Sequence, residues 1–297
     1  MGKQKDQVFQ ATKDLFRESD SNVKRELKVN RNGFTRGFFE IGSESGSDLN
    51  ECKEAFSFGY PYFDENSTPK NELSGPNVWP DTFRQTQTMN SFYTDMCDVS
   101  TAIVRGLSLS LDQEQNYLSE FCKGGEIISL MRLFHYLPYN NADVSKTFGN
   151  TSPSSKIGSS PHTDWGFLTL VIQEDEQKEA GSLECFFENE WQSIDPVEGS
   201  IVVNCGDYIS LFSGGRIKSP LHRVVNGGND RYSLVFFYYP NFDASIPKMD
   251  DSSLLRSVSL LHDQRGGGWV GDDVLGEDNV SFGEYIAGKW ASVQRDV

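Results

Sequence analysis

His162-Thr163-Asp164, then His222, then Arg231-Tyr232-Ser233 are the residues of this chain whose types and spacing point to chemistry. Two imidazoles and one carboxylate form the set that grips Fe(II) on one face and leaves the opposite face open for substrate and oxygen. His162, Asp164 and His222 are therefore the candidate metal ligands, and oxygen chemistry is the expectation. In an extended strand, alternate side chains share a face, so His162 and Asp164 should point the same way, about 6 to 7 Å apart along the backbone. An isolated His-x-Asp can equally be a turn or a surface pair, and an isolated His222 a core histidine. The chain has only 4 histidines, however, and these two adjoin the apolar strand-like runs Gly166–Ile172 and Pro220–Val225.

Arg231 and Ser233 lie two apart in the apolar run that ends at Tyr239, so they share a face and can hold one group together. A guanidinium grips a carboxylate through two parallel hydrogen bonds, and a hydroxyl adds another donor. In the run Met131 to Tyr136, Arg132, Phe134 and Tyr136 have one parity, and in the later run Ser233, Val235, Phe237 and Tyr239 have one parity. Both sets are expected to face inward. An inward arginine is costly unless an acceptor meets it, and Glu126 and Asp143 lie only near the ends of the first strand. A substrate carboxylate is thus one expected partner for Arg132, and a carboxylate from elsewhere in the fold is the other.

Met131-Arg132-Leu133-Phe134-His135-Tyr136, His162-Thr163-Asp164-Trp165-Gly166, Gly206-Asp207 through Gly214-Gly215, Ser219 to Val224 and Arg231 to Phe237 occur together and in this order. In these segments the chain resembles the isopenicillin N synthase-like branch of Fe(II)- and 2-oxoglutarate-dependent oxygenases, with the penicillin-expanding and plant hydroxylase members nearest. The resemblance covers roughly residues 7 to 295 and is most specific over 126 to 242. It implies that Fe(II), 2-oxoglutarate and O2 are the cofactors. It also implies that Arg231, Ser233 and Tyr136 bind 2-oxoglutarate, and that a small, carboxylate-bearing molecule of specialised metabolism is hydroxylated, desaturated or oxidatively cyclised. Arg132, Phe134, Phe237 and Tyr239 are the candidate substrate contacts. Isopenicillin N synthase itself sets a similar Arg-x-Ser against its substrate and uses no 2-oxoglutarate, so a 2-oxoglutarate-independent oxidase stands as the alternative. A catalytically dead jelly-roll binding protein is a further one. No zinc-hydrolase spacing such as H-E-x-x-H is present. The start departs from the family, whose members open on an apolar strand and a Gly-Phe-Phe segment, whereas here a polar helical stretch, Lys5 to Ser19, comes first. One or two edge strands of the main sheet are expected to be missing or replaced.

The elements that must position these residues follow from pattern. Apolar positions at Met89, Phe92, Met96, Val99, Ile103 and Leu107 predict a helix from about Asp81 to Ser110 with one buried face. Shorter helices are expected over Asp112–Phe121 and Ser281–Val293. Strands are expected at 126–136, 166–173, 182–187, 200–204, 219–225 and 231–239, in quick succession. Short strands separated by turns read as mainly β with flanking α: a double-stranded β-helix, or jelly roll, with helices packed on the main sheet. The 297 residues suit a single oxygenase domain, comprising a helical and loop region to 125, the core to 242 and a C-terminal loop and helix.

A net charge of −16 lacks the clustered Lys and Arg that phosphate binding needs, so a small-molecule substrate rather than nucleic acid is expected. Five cysteines, odd in number and without C-x-x-C spacing, read as reduced thiols. With a polar start and no apolar run of about 18 residues, a cytoplasmic monomer without a membrane partner is the expectation, and the sequons at Asn66, Asn150 and Asn279 are taken as chance.

Overall fold

The computed structural model describes residues 2–29, 36–45, 47, 49–60, 71, 73–123, 127–139, 156–175, 181–213, 215–245 and 281–293. The helices are α1 (Gly2–Glu18), α2 (Ser21–Glu26), α3 (Thr86–Ser110), α4 (Tyr117–Glu120), α5 (Asp207–Phe212) and α6 (Phe282–Val293). The strands are β1 (Gly37–Phe39), β2 (Lys53–Gly59), β3 (Leu130–Tyr136), β4 (Ile157–His162), β5 (Leu168–Gln173), β6 (Gly181–Phe187), β7 (Glu190–Ser193), β8 (Val202–Cys205), β9 (His222–Asn226) and β10 (Arg231–Tyr238). They pair antiparallel into two sheets, β1-β2-β3-β10-β5-β8 and β4-β9-β6-β7, the two layers of the expected jelly roll.

Parity divides the residues of the larger sheet between two cores. Met131 and Leu133 on β3, Leu170 and Ile172 on β5, and Leu234, Phe236 and Tyr238 on β10 pack outward against Val8 and Leu15 of α1 and Phe92 and Met96 of α3. The opposite parity, Phe134, Tyr136, Val171 and Val235, packs between the sheets against Leu183 of β6 and Val224 of β9. Antiparallel pairing sets Val235 beside Arg132, Ser233 beside Phe134 and Arg231 beside Tyr136. The inward set expected from alternation therefore holds as one layer through Val235; Phe237 packs against both cores, and Tyr239, past the end of β10, packs in the first.

Several boundaries differ from the sequence expectation. α3 starts at Thr86, after a turn in which Phe83 N–H bonds the Pro80 carbonyl at 2.9 Å. The helix expected from Asp112 shrinks to α4, because Asp112 takes a φ of 60°, a left-handed backbone that ends α3. β7 and α5 were not expected, being too short for a periodic signal, and the strand assumed to carry both His162 and Asp164 is the irregular β4, which ends at His162. The edge beside β3 is filled rather than missing: β2 pairs β3 over its whole length, and β1, the Gly-Phe-Phe of this chain, pairs β2. Residue 126, where the first strand was expected to begin, and Asn66, Asn150 and Asn279 lie outside the described residues.

Candidate active site

His162 and His222 are cross-strand partners, paired in register where β4 meets β9. Asp164 lies two residues past the end of β4, so simple alternation within one strand is not what aligns it with His162. Register shifts between Ile157 and Ser159 and between Ser159 and His162 twist the strand first. The result still joins the three groups: the Nε2 atoms of both histidines lie 3.8 Å from Asp164 Oδ1. One ligand atom from each lies within 4.8 Å of the others, the only such group of three His, Cys, Asp or Glu side chains among the described residues. Bonds of roughly 2.1 Å, usual for a first-row divalent ion, bridge pairs up to about 4.2 Å apart.

Surrounding groups preset the ligands. His162 Nδ1 lies 2.7 Å from the Ser160 carbonyl and His222 Nδ1 3.1 Å from the Pro220 carbonyl. Only a protonated Nδ1 can bond a carbonyl, so each Nε2 is left with its lone pair turned toward Asp164. Burial, and next the neighbouring His222, push the His162 pKa down to about 4, which keeps the imidazole in its neutral, metal-binding form. Asp164 is buried, and its second oxygen, Oδ2, accepts a bond of 2.5 Å from Asn204 Nδ2 on β8. Its carbonyl accepts from Asp207 N–H at 2.7 Å, at the start of α5. The site's fit to a divalent iron thus rests on donor type, tautomer and a fixed carboxylate.

Arg231 opens β10 and is 1% exposed. Its Nη2 donates to Gln173 Oε1 at 2.9 Å, and its guanidinium lies 4.8 Å from the centre of the Tyr136 ring. Ser233, on the same face, is fully buried, and its hydroxyl has no hydrogen-bond partner among the described residues. A buried hydroxyl with no partner is uncommon and marks a place where a further group belongs. An acceptor such as a carboxylate beside Arg231 fits that place.

A cavity of about 610 Å³, its open mouth included, adjoins the triad. His162, Asp164, Phe134, Phe237, Tyr239 and Trp290 are among the residues that line it. Burial first, and the charge of Asp164 next, raise the Tyr239 pKa well above its ordinary value and keep the phenol protonated. Arg132 also lines the cavity, and its partner comes from the fold: Nη1 donates to Glu44 Oε1 at 2.9 Å and Oε2 at 2.8 Å, and Nε to Ser57 Oγ at 3.0 Å. The guanidinium lies 4.2 Å from the centre of the Phe39 ring and 4.3 Å from that of Trp290.

Of the ten residues singled out from the sequence, His162, Asp164, Arg132, Phe134, Phe237 and Tyr239 line the cavity, His222 joins them through Asp164, and Tyr136, Arg231 and Ser233 lie beyond the lining, beside Phe134 on β3 and β10; Glu44, Lys53, Gln173, Asn204 and Trp290 went unnoticed. Asn204 carried a signal, a polar side chain closing the apolar run Ile201-Val202-Val203. Glu44 carried none, in a stretch of Gly and Ser.

The profile of the 2OG-Fe(II) oxygenase superfamily matches residues 127–240, which span the triad and Arg231-x-Ser233. Homoarginine-6-hydroxylase 2-ODD-C23 of Glycine max is 30% identical over 242 residues, 73% of this chain and 70% of that protein. The chain belongs to the 2OG-Fe(II) oxygenase superfamily. Homoarginine-6-hydroxylase 2-ODD-C23.1 of Arabidopsis thaliana is 36% identical over 180 residues, 60% of this chain, and the match spans about half, 51%, of the relative. The fold agrees with that of a full-length Neurospora crassa protein crystallised in complex with alpha-KG and 5-formyluracil, at a TM-score of 0.71 and 22% identity over 99% of this chain and 83% of that one. As a superfamily member the chain is an Fe(II)- and 2-oxoglutarate-dependent oxidoreductase. Among the described residues no helix is long and apolar enough to cross a membrane.

Proposed function

We propose that the chain oxidises a small, carboxylate-bearing organic molecule of specialised metabolism, by hydroxylation, desaturation or oxidative ring closure. Bound together, iron and 2-oxoglutarate supply the chemistry by which reduction of O2 is coupled to decarboxylation of the cosubstrate to succinate and to oxidation of the substrate. In this reading His162, Asp164 and His222 hold the iron, and the Ser160 and Pro220 carbonyls keep both imidazoles in the ligating tautomer. Arg231 and Ser233 grip the distal carboxylate of 2-oxoglutarate with Tyr136 beside them, and Gln173 holds the guanidinium in aim. Arg132, Phe134, Phe237 and Tyr239 form the substrate wall, whose aromatic rings keep water from the reacting carbon. One observation carries the reading: the histidine Nε2 atoms converge on a buried carboxylate at the edge of a cavity large enough for a small molecule.

The acidic charge and a cavity of about 610 Å³, its open mouth included, support a small molecule over nucleic acid as the substrate. The free state of all five cysteines supports a reducing, cytoplasmic location. We read residues 1–297 as one domain acting as a monomer. Oxygen uptake and succinate formation, measured with and without 2-oxoglutarate, test the reaction. Uptake that requires 2-oxoglutarate, yields succinate and is lost in Asp164→Ala is the expected result. Uptake that proceeds without 2-oxoglutarate refutes it and favours the isopenicillin N synthase-like alternative.

A further inference from the structure

One wall of the cavity carries four charged groups in two ion pairs. Glu51 Oε2 meets Lys53 Nζ at 2.5 Å, and Glu44 is held by Arg132 at 2.8 Å. The pairs are not independent. Burial opposes the charge on Lys53, but Glu51 and then Glu44 more than offset it and raise its pKa, so Glu44 acts on both cations. The signs therefore alternate along the wall: Glu51, Lys53, Glu44, Arg132. All four line the cavity, and the middle two are the more exposed, with side-chain exposures of 11% for Lys53 and 10% for Glu44, against 4% for Glu51 and 2% for Arg132.

Each of the two retains unused capacity. Besides Glu51, Lys53 donates to Ser159 Oγ at 2.9 Å, and an ammonium has three donors. Among the described residues Glu44 accepts from a single nitrogen of Arg132, and a carboxylate has about four acceptor positions. Much of the remaining wall is aromatic, from Phe134, Trp165, Phe237 and Trp290. Ion pairs removed from water are a poor source of stability compared with apolar packing of the same volume. Two of them lining a cavity beside a metal site are better explained by a ligand that uses them.

We propose that this cavity selects a zwitterion, an apolar skeleton whose carboxylate binds Lys53 and whose cationic nitrogen binds Glu44, as in an α-amino acid or its N-alkyl derivative. A monoanion of the same skeleton gains Lys53 and meets the charge of Glu44, and a monocation does the reverse. The inference rests on the function proposed above and specifies its substrate class.

Three probes of one skeleton test it: norleucine, hexanoate, which lacks the amine, and pentylamine, which lacks the carboxylate. Each is titrated calorimetrically, without oxygen, into the full chain loaded with Fe(II) and 2-oxoglutarate. Norleucine should bind at least about tenfold more tightly than either of the others. Glu44→Gln should weaken norleucine about tenfold while tightening hexanoate, a reversal that loss of a structural brace does not produce. Equal binding of norleucine and hexanoate to the wild-type protein, no binding of any probe in the millimolar range, or an equal shift of all three in Glu44→Gln would overturn the proposal. The wild-type comparison stands even if Glu44→Gln does not fold. Failure of the oxygenase reading shows separately, as a protein that takes up neither Fe(II) nor 2-oxoglutarate before any probe is added.

Discussion

Ser233→Ala separates a binding hydroxyl from a structural one, because the two make opposite predictions. The Ser233 hydroxyl is fully buried and has no hydrogen-bond partner among the described residues. Leaving such a group unsatisfied costs about 1 to 3 kcal/mol. Alanine removes that penalty together with one oxygen's worth of packing, so the cofactor-free protein should keep its stability within about 1 kcal/mol or gain some. If the hydroxyl donates to the 2-oxoglutarate carboxylate, the variant loses a hydrogen bond to a charged group, about 1.5 to 3 kcal/mol. At about 1.4 kcal/mol per factor of ten, that is a roughly tenfold to hundredfold weaker Kd. Urea unfolding of the cofactor-free protein and calorimetric titration of 2-oxoglutarate into the Fe(II)-loaded, oxygen-free protein give the two numbers. Affinity within about twofold of wild type, or a cofactor-free protein destabilised by more than about 2 kcal/mol, would refute the reasoning: the first removes the cosubstrate contact, and the second reveals a structural partner.

Three further outcomes are expected. Arg231→Ala should weaken 2-oxoglutarate by at least tenfold, since losing one partner of a desolvated charged pair typically costs about 2 to 5 kcal/mol; an unchanged 2-oxoglutarate Kd with a weakened primary substrate would assign Arg231 to the substrate instead. Asn204→Leu removes the bond to Asp164 Oδ2 and should lower Fe(II) affinity about 10- to 100-fold, the usual effect of losing a group that orients a metal ligand; competition against a chelator measures it, and wild-type affinity would contradict it. His135 sits 2.8 Å from Glu54 and 2.7 Å from Asp230, and although burial opposes its charge, the bonds to Asp230 and Glu54 outweigh it and raise the imidazole pKa. A raised folded pKa stabilises fully below the ordinary value of about 6.5 and is lost as the pH climbs through the folded one, so the Tm advantage of wild type over His135→Gln should be larger at about pH 6 than at about pH 9; an advantage that grows with pH would show that the ring is held neutral.

The metal triad was legible because its evidence is local. Residue types survive any fold, and His162, Asp164 and His222 needed only to be brought near one another. Parity on β3 and β10 also read correctly, since alternation is a property of a few consecutive residues and both strands are regular over their whole length. β4 read less well. Its register shifts break the alternation that was to explain how His162 and Asp164 share a direction.

Residue types and local patterns record the chemistry available: the donor set, the Arg231-x-Ser233 face and the rapid succession of strands; the buried face of α3 read only in part, running through Met89, Phe92 and Met96 as expected and then through Ser100, Val104 and Ser108, with Val99, Ile103 and Leu107 half-buried beside them. How that chemistry is completed depends on contacts between segments far apart in the chain. Arg132 finds Glu44 88 positions away, Arg231 finds Gln173 58 away, and Asp164 finds Asn204 40 away. Trp290 reaches the guanidinium of Arg132 from the last described helix. The physical reason is that helical and strand periodicity are set by backbone geometry within a few residues. The partner of a buried charge is set by the summed packing of distant segments, and no short stretch of the chain records that sum.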